Sequence, residues 1–479
     1  MFATGRHRFF FIAICLVGIA LRLIQINGFS IWHDERVSIL IANGIDHYEK
    51  YTGVVESQQL QASADLSHVA AATIADNGNC LAYNTVLHFW LKACGNSDLS
   101  ARMLSVLFGV LLIPLIFLFA KKLFSDERLS LIVAFLTAIH PLFIAYAHQS
   151  RAYTMATFFT LAATWFFLEI IKGRATKKQY LLYSCCAAIS LLTHYLTSYI
   201  FIAHTIVFLY SVRNLKTYVN YTLAGSLVVL VFALWMMNGG LEGMKVLDTQ
   251  NARYAQQAAN FKEGDKSFAM PATAKNIVTG WFQVWLQVFG NQLQNFGLRI
   301  RQIGVMVFVP LLFVFALFFK ERKNKEQLDK WVLLFVLTFF QTVYASILAV
   351  RAGHCISFQT LYASFVVPYA ICLMAWGFNT LLQQSTMKIV VWIGGMLIVA
   401  LMGLSWFTTY TNSNDIFPAE NGHRLKAAFI EENYEAGDTI SIKSDMDLQL
   451  IGIYLDKKRN YYMRVDSTVV DDSYTIERD

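Results

Sequence analysis

The chain has 479 residues, 56 % of them hydrophobic and only 15 % charged, with 38 Phe and 22 Tyr. A soluble domain carries about 25 % charged residues, so this composition excludes an ordinary soluble globule and points to a polytopic membrane protein. The formal net charge of +7 lies in short loops between apolar runs, and no basic face interleaved with aromatics marks a nucleic-acid partner.

The first 26 residues, MFATGRHRFFFIAICLVGIALRLIQI, have the basic start of a signal peptide. The apolar run is too long for one, and no small-residue cleavage site follows before Trp32, so a retained first span is expected. A helical span needs about 20 apolar residues. By that measure spans are predicted at 9–26, 101–120, 129–146, 152–171, 180–196, 199–210, 218–237, 303–319, 331–350, 361–382 and 389–409. The 180–210 stretch must hold two short tilted spans or one span and a re-entrant piece. The predicted fold class is therefore an all-α membrane bundle of about eleven spans, with outer-face loops and a small C-terminal α/β appendage.

Charge orients this bundle. With the N-terminus inside, the inner connections carry Arg6 and Arg8, Lys121 and Lys122, Lys172 with Arg174, Lys177 and Lys178, then Arg213 and Lys216, KERKNKEQLDK and Lys388. Every basic cluster then falls on one side, as the positive-inside rule requires. Three polar segments fall on the other side: 27–100, 238–302 and the tail 410–479. The second holds WFQVWLQVF, an aromatic amphipathic piece suited to the interface. The tail reads as helix, Gly-Asp turn, strand, helix and strand. Two units are expected, a membrane module over 1–409 and an extracytoplasmic α/β unit over 410–479.

Four features converge on the outer face. SIWHDERVSIL places Asp34 and Glu35, behind Trp32 and His33, where the first apolar run ends. A solvated loop carrying acids is the plainer reading of that stretch alone. Further along, Asp76, Tyr83, Asn84 and His88 enter an otherwise apolar helical segment, and Arg102 starts the next span. Pro141 should bend the third span, leaving His148, Gln149, Arg151 and Tyr153 in a short outer turn. Arg351, with His354, ends the ninth span. A surface arginine is often a snorkelling anchor, but the outer face should be poor in arginine, which favours an anion site. Arginine suits phosphate because its planar fork donates parallel hydrogen bonds.

A carboxylate and two arginines at one membrane face suit transfer from a phosphate leaving group. The arginines would stabilise charge growing on phosphate oxygens, while the acid would orient or deprotonate an attacking hydroxyl. An acid opposite the leaving group implies in-line displacement with inversion. No GxxxxGK[ST] loop supports a nucleotide site, and no HExxH or paired-Cys motif points to zinc. Asp34, Glu35 and Asp76 leave a divalent cation open, and no other cofactor is implied. The seven cysteines read as packing residues, although Cys80 and Cys94 share a loop and could pair.

SIWHDE, LHFWLKACGNSDLSARMLSVLFGVLLIPL and HPLFIAYAHQSRAYTMATFF together resemble the lipid-linked-sugar glycosyltransferases of the GT-C superfamily. The branch is that of dolichyl-phosphate-mannose protein mannosyltransferases and aminoarabinose lipid A transferases. The resemblance runs over 9–168, with later echoes at Arg351 and in the tail. It implies a polyprenyl-phosphate sugar donor and a lipid, glycan or protein acceptor at the outer face. It also implies Asp34 as catalytic acid, with Glu35, His33, Asp76, Tyr83 and His88 as acceptor-side or secondary groups. Arg151, Tyr153, Arg351 and His354 would lie at the donor phosphate. The chain departs from the family in reading GNCLAYN where many members carry His-Pro-Pro, and His33 where Tyr is common. Two alternatives are a flippase for lipid-linked sugars, disfavoured by apolar mid-span positions, and a polysaccharide polymerase or ligase using diphosphate donors.

Overall fold

The computed structural model describes residues 4–60, 64–262, 269–290, 300–383, 388–411, 422–469 and 474–477. Parts of the predicted 238–302 and 410–479 segments lie outside the described residues. The described chain is mostly helical. The first helix, α1 (Gly5–Leu23), leads to three short helices, α2 (His33–Ala42), α3 (Leu66–Ala75) and α4 (Leu81–Cys94). The first half of the bundle is α5 (Asp98–Phe124), α6 (Glu127–Ile139), α7 (Pro141–Ala147), α8 (Tyr153–Ile171), α9 (Lys177–Thr193), α10 (Ser198–Ser211) and α11 (Leu215–Trp235). After α12 (Leu241–Ala259) and α13 (Ala274–Val288) come α14 (Ile300–Glu321), α15 (Lys325–Ala352), α16 (Val367–Leu382) and α17 (Lys388–Thr411). The tail adds α18 (Gly422–Asn433) and α19 (Asp445–Tyr454).

Each predicted span falls on one of these helices or, for 129–146, on the pair α6 and α7, bent by 52°. The 180–210 stretch forms two helices, α9 and α10, joined by a turn of 3-10 helix. By length and apolarity alone, five described helices can cross a membrane, and six if the bent pair counts as one. The others are short, such as α10 with 14 residues and α16 with 16, or basic, as α1 is. The shared core includes Phe119, Phe167, Leu334, Phe365 and Tyr369. Polar groups inside it pair with one another: Thr164 Oγ1 meets Tyr369 OH at 2.5 Å and His204 Nε2 at 3.1 Å. Such pairs hold helices together where water is absent.

The bend between α6 and α7 has a definite chemistry. Pro141 has no N–H, so the Thr137 carbonyl loses the donor four residues on. Arg22, fully buried in α1, fills the gap. Its guanidinium donates to Thr137 O at 3.2 Å, Ala138 O at 2.9 Å and Gly18 O at 2.9 Å. The approach is close because residue 18 is Gly, where a Cβ would lie 2.3 Å from Ile113 Cδ1.

A four-stranded sheet stands outside the bundle. Its strands are β1 (Val54–Glu56), β2 (Thr439–Ile442), β3 (Tyr462–Val465) and β4 (Tyr474–Glu477), in the order β1-β3-β2-β4. Only the β2–β3 pair is parallel. The tail thus has the elements read from its sequence, but β1 comes from the segment before α3. Leu60 from that segment packs with Ile430, Ile440, Leu448 and Met463 of the tail. Arg424 pairs with Asp98 at the start of α5 and donates to Asn27 O at 2.7 Å, and Tyr454 OH accepts from Ile31 N at 2.6 Å. Cys80 and Cys94 are free thiols, so the sequence-based pairing does not form.

Arg22→Met would leave the Thr137 and Ala138 carbonyls buried without this donor, a loss on the order of 2 kcal/mol. The detergent-solubilised variant should show a lower thermal midpoint than wild type. An unchanged midpoint would remove Arg22 from the stability of the bend.

Candidate active site

Helix α2 begins at His33, and its first turn carries Asp34 and Glu35, where acids favour the helix dipole. Successive helical residues point about 100° apart, which sends the two acids to different places. Glu35 turns inward and is 1 % exposed. Arg102 grips both its oxygens, Nε to Oε1 at 2.8 Å and an Nη to Oε2 at 2.7 Å. The remaining guanidinium donors reach the carbonyls of Ile26, Phe29 and Ser30, and Ser150 N donates to Glu35 Oε1 at 2.9 Å. The secondary site role expected for Glu35 is therefore corrected: both its oxygens are committed to the fold. Tyr83 and His88 are corrected likewise. The Tyr83 hydroxyl is buried between Ser105 and Ser150, and His88 Nδ1 donates to Ala42 O at 2.8 Å.

Asp34 turns toward a cleft. Arg151 reaches it from the turn before α8, with an Nη 3.8 Å from Asp34 Oδ2. That is longer than a hydrogen bond, so the carboxylate pair is loose. The guanidinium is anchored instead at Asp34 O (3.1 Å) and Ser38 Oγ (3.2 Å), while its Nε is buried without a partner. The Tyr153 ring lies 5.8 Å from the guanidinium carbon.

Two aromatic residues missed by the sequence reading complete this wall. His194, in the break between α9 and α10, has ring centroids 5.9 Å from Tyr153 and 5.6 Å from Tyr362. Its Nδ1 accepts Leu196 N at 3.3 Å, which leaves the ring hydrogen on Nε2. Tyr362 lies within electrostatic reach of Asp34, Arg151 and Tyr153. The signal for His194 was a titratable residue at the seam of two short spans.

Asp76 caps α3 on the opposite side of the cleft. Its Oδ1 lies 3.3 Å from His47 Nε2. Burial, then the charges of Asp34 and Asp46, push its carboxyl up to about 7, against the opposing pull of Arg151 and Arg36. Burial, then Arg36, His33 and Arg151, push His47 down to about 3, so its imidazole is neutral. His33 stacks no charge of its own on the cleft: burial and Arg36 lower its pKa, and Arg36 donates to its Nδ1 at 3.3 Å. Arg36 also bonds Gln449 of α19, whose amide donates to Tyr51 OH at 3.1 Å.

Arg351 stands apart. It is exposed at the end of α15 and makes no hydrogen bond or ion pair among the described residues, so it is not brought to Asp34. His354 is buried against Tyr254, at 5.8 Å between ring centroids, with both ring nitrogens unpartnered. Among the described residues no three His, Cys, Asp or Glu side chains converge to hold a metal ion. Glu35, held by Arg102, has left the acidic trio that the sequence offered.

Residues 81–237 match the family described as dolichyl-phosphate-mannose-protein mannosyltransferase. No curated protein sequence matches the chain. Among solved structures, ArnT from Cupriavidus metallidurans in the apo state superposes with a TM-score of 0.53 at 14 % identity, covering 94 % of this chain and 75 % of that one. The same protein bound to undecaprenyl phosphate gives 0.53 at 13 %, covering 95 % and 76 %. The archaeal oligosaccharyltransferase AglB from Archaeoglobus fulgidus, in complex with an inhibitory peptide and a dolichol-phosphate, gives 0.51 at 12 %, covering 90 % and 58 %. Identities this low speak for the fold. The family match, carrying Arg151, Tyr153 and His194 within it, and a fold shared along nine-tenths of its length make this chain a member of the GT-C superfamily of membrane glycosyltransferases.

Proposed function

We propose that this protein transfers one sugar from a polyprenyl-phosphate donor to an acceptor at the outer membrane face, with inversion at the anomeric carbon. The observation that carries the reading is the loose Asp34–Arg151 pair: an arginine anchored through main chain and hydroxyl, next to an acid that faces open space. Phosphate can take up the guanidinium, since its Nε has no partner and the contact with Asp34 Oδ2 is long. Tyr153 and the Nε2–H of His194 flank the same position. As the anomeric C–O bond breaks, charge grows on the phosphate oxygens, where a fixed guanidinium stabilises it most. Asp34 engages the acceptor from the other side of the sugar. The donor class is supported by the ArnT structure that holds undecaprenyl phosphate and the AglB structure that holds a dolichol-phosphate.

In this reading all eleven helical segments cross the bilayer, the N-terminus and basic loops are cytoplasmic, and the sheet-bearing tail is extracytoplasmic. The cell inner membrane is the expected location in a bacterium. The acceptor is a lipid, glycan or protein, and Arg351 and His354 have no direct part.

Arg151→Ala should weaken binding of undecaprenyl phosphate to the purified protein at least tenfold, with partial recovery in Arg151→Lys, measured by intrinsic fluorescence. Equal affinity in wild type and Arg151→Ala would end the phosphate assignment. Undecaprenyl diphosphate should bind no better than the monophosphate, and a clear preference for it would favour the polymerase reading. Asp34→Asn should abolish sugar transfer while keeping undecaprenyl phosphate affinity; retained transfer would remove Asp34 from the mechanism. A single cysteine placed at Lys458 should react with a membrane-impermeant maleimide added to intact cells, whereas one at Lys121 should not. The reverse pattern would invert the topology.

A further inference from the structure

The proposed displacement needs a destination for the acceptor's proton, and Asp34 is poorly free to provide it. Its carboxylate faces Arg151, and its carbonyl helps hold that arginine. Across the cleft stands a second acid with a different kind of partner. The Asp76 side chain keeps 22 % of its surface exposed, while His47 beside it keeps 4 %. The His47 ring packs on Tyr48 with centroids 3.9 Å apart, and its Nδ1 is buried with no partner. Leaving a lone pair unmet there costs less than burying an unmet N–H, so the imidazole hydrogen sits on Nε2, directed at Asp76 Oδ1 3.3 Å away. The cap is held rigidly: Asp76 N donates to Ala72 O, and Asn84 donates to Thr73 Oγ1 in the turn before it. The loop that follows is pressed on α12, where a Cβ on Gly243 would lie 2.4 Å from Gly78 N.

We propose that Asp76, oriented by His47, is the group that accepts the proton of the attacking acceptor, while Asp34 and Arg151 hold the donor side. This rests on the reading of the protein as a polyprenyl-phosphate glycosyltransferase. In the step, the acceptor oxygen bonds to the anomeric carbon and its proton passes to the Asp76 carboxylate. The bond from that carbon to the phosphate oxygen breaks, and its electron pair leaves with the polyprenyl phosphate. Asp76 then loses the proton to water in the cleft.

The charged and titratable groups facing Asp76 are Asp34 and Arg36 from α2, Asp46, His47 and Tyr48 from the loop after it, Cys80 at the start of α4, and Arg151. Burial and the two acids outweigh the arginines and raise its carboxyl to about 7. A general base works best when its pKa lies near the operating pH. The base must be deprotonated to act, so the rate should climb as pH rises through that region. His47 donates to the charged form, so its removal should move the climb to higher pH.

Two measurements test the assignment. Native membranes carrying the overproduced full-length chain would be given labelled undecaprenyl-phosphate hexoses and pentoses, and label reaching the endogenous acceptor followed against pH. Asp76→Asn should lower kcat about 100-fold or more, with KM little changed, and should lose the near-neutral climb. Asp76→Glu should restore part of the rate, and His47→Gln should shift the climb upward. Transfer by Asp76→Asn within threefold of wild type would overturn the proposal. Independently of any substrate, infrared titration of the purified protein should show a carboxylic-acid band that disappears near neutral pH, is absent in Asp76→Asn and survives in Asp34→Asn. A band indifferent to Asp76→Asn would overturn it as well. Asp76→Asn should bind undecaprenyl phosphate as wild type does, and a loss there would place Asp76 on the donor and end its role as proton acceptor. Failure of Arg151→Ala to weaken that binding is a separate result and strikes the donor reading alone.

Discussion

The buried pair of Glu35 and Arg102 is the constraint on which the rest depends. It joins three separate pieces of chain: the first turn of α2, the start of α5, and, through Ser150 N, the turn that carries Arg151. The same guanidinium collects three carbonyls from the loop leaving α1. Two charges out of water are stable only when nearly every donor and acceptor is met, and here the ring of partners meets that condition. Asp34 and Arg151 can then be loose toward one another because their backbones are not. A rigid support one residue away permits a soft contact at the cleft.

The tail extends the same logic outward. Gln449 of α19 reaches Arg36, one helical step beyond Glu35, and Tyr454 receives the N–H of Ile31 just before α2. Arg424 ties the tail to Asp98 and to the carbonyls of Asn27 and Phe29. The short helix bearing the acids is thus clamped from the bundle on one side and from the extramembrane sheet on the other. A 10-residue helix is marginal alone in water, and α2 gains its definition from these two flanks.

Much of this was legible in the residues. Long apolar runs read as helices because burial in lipid or core demands them. Arg151 drew notice because a guanidinium is costly at a face poor in arginine, and it does meet Asp34. Arg351 carried the same mark yet is exposed and apart, since charge bookkeeping says which side a residue is on and not where it points. Glu35 looked like the twin of Asp34; only the packing of Arg102 reveals that it faces inward. His47 read as loop and His194 as the end of an apolar run, because their roles come from partners distant in sequence. The resemblance to known glycosyltransferases was strongest over 9–168, whereas the family match covers 81–237. The acids of α2 and α3 thus lie before the matched region, and the arginine wall lies inside it.

The β1 strand has a further implication for how the protein is made. Tyr461 N donates to Ser57 Oγ across 404 positions, and β1 pairs with β3 over the same span. A contact of such sequence separation forms late and slowly. Nearly every helix must enter the bilayer before the outer sheet can close and seat the helix that bears the acids. Assembly of the bundle and activation of its chemistry are therefore separate events in biogenesis, with the closing of a small sheet as the last step between them.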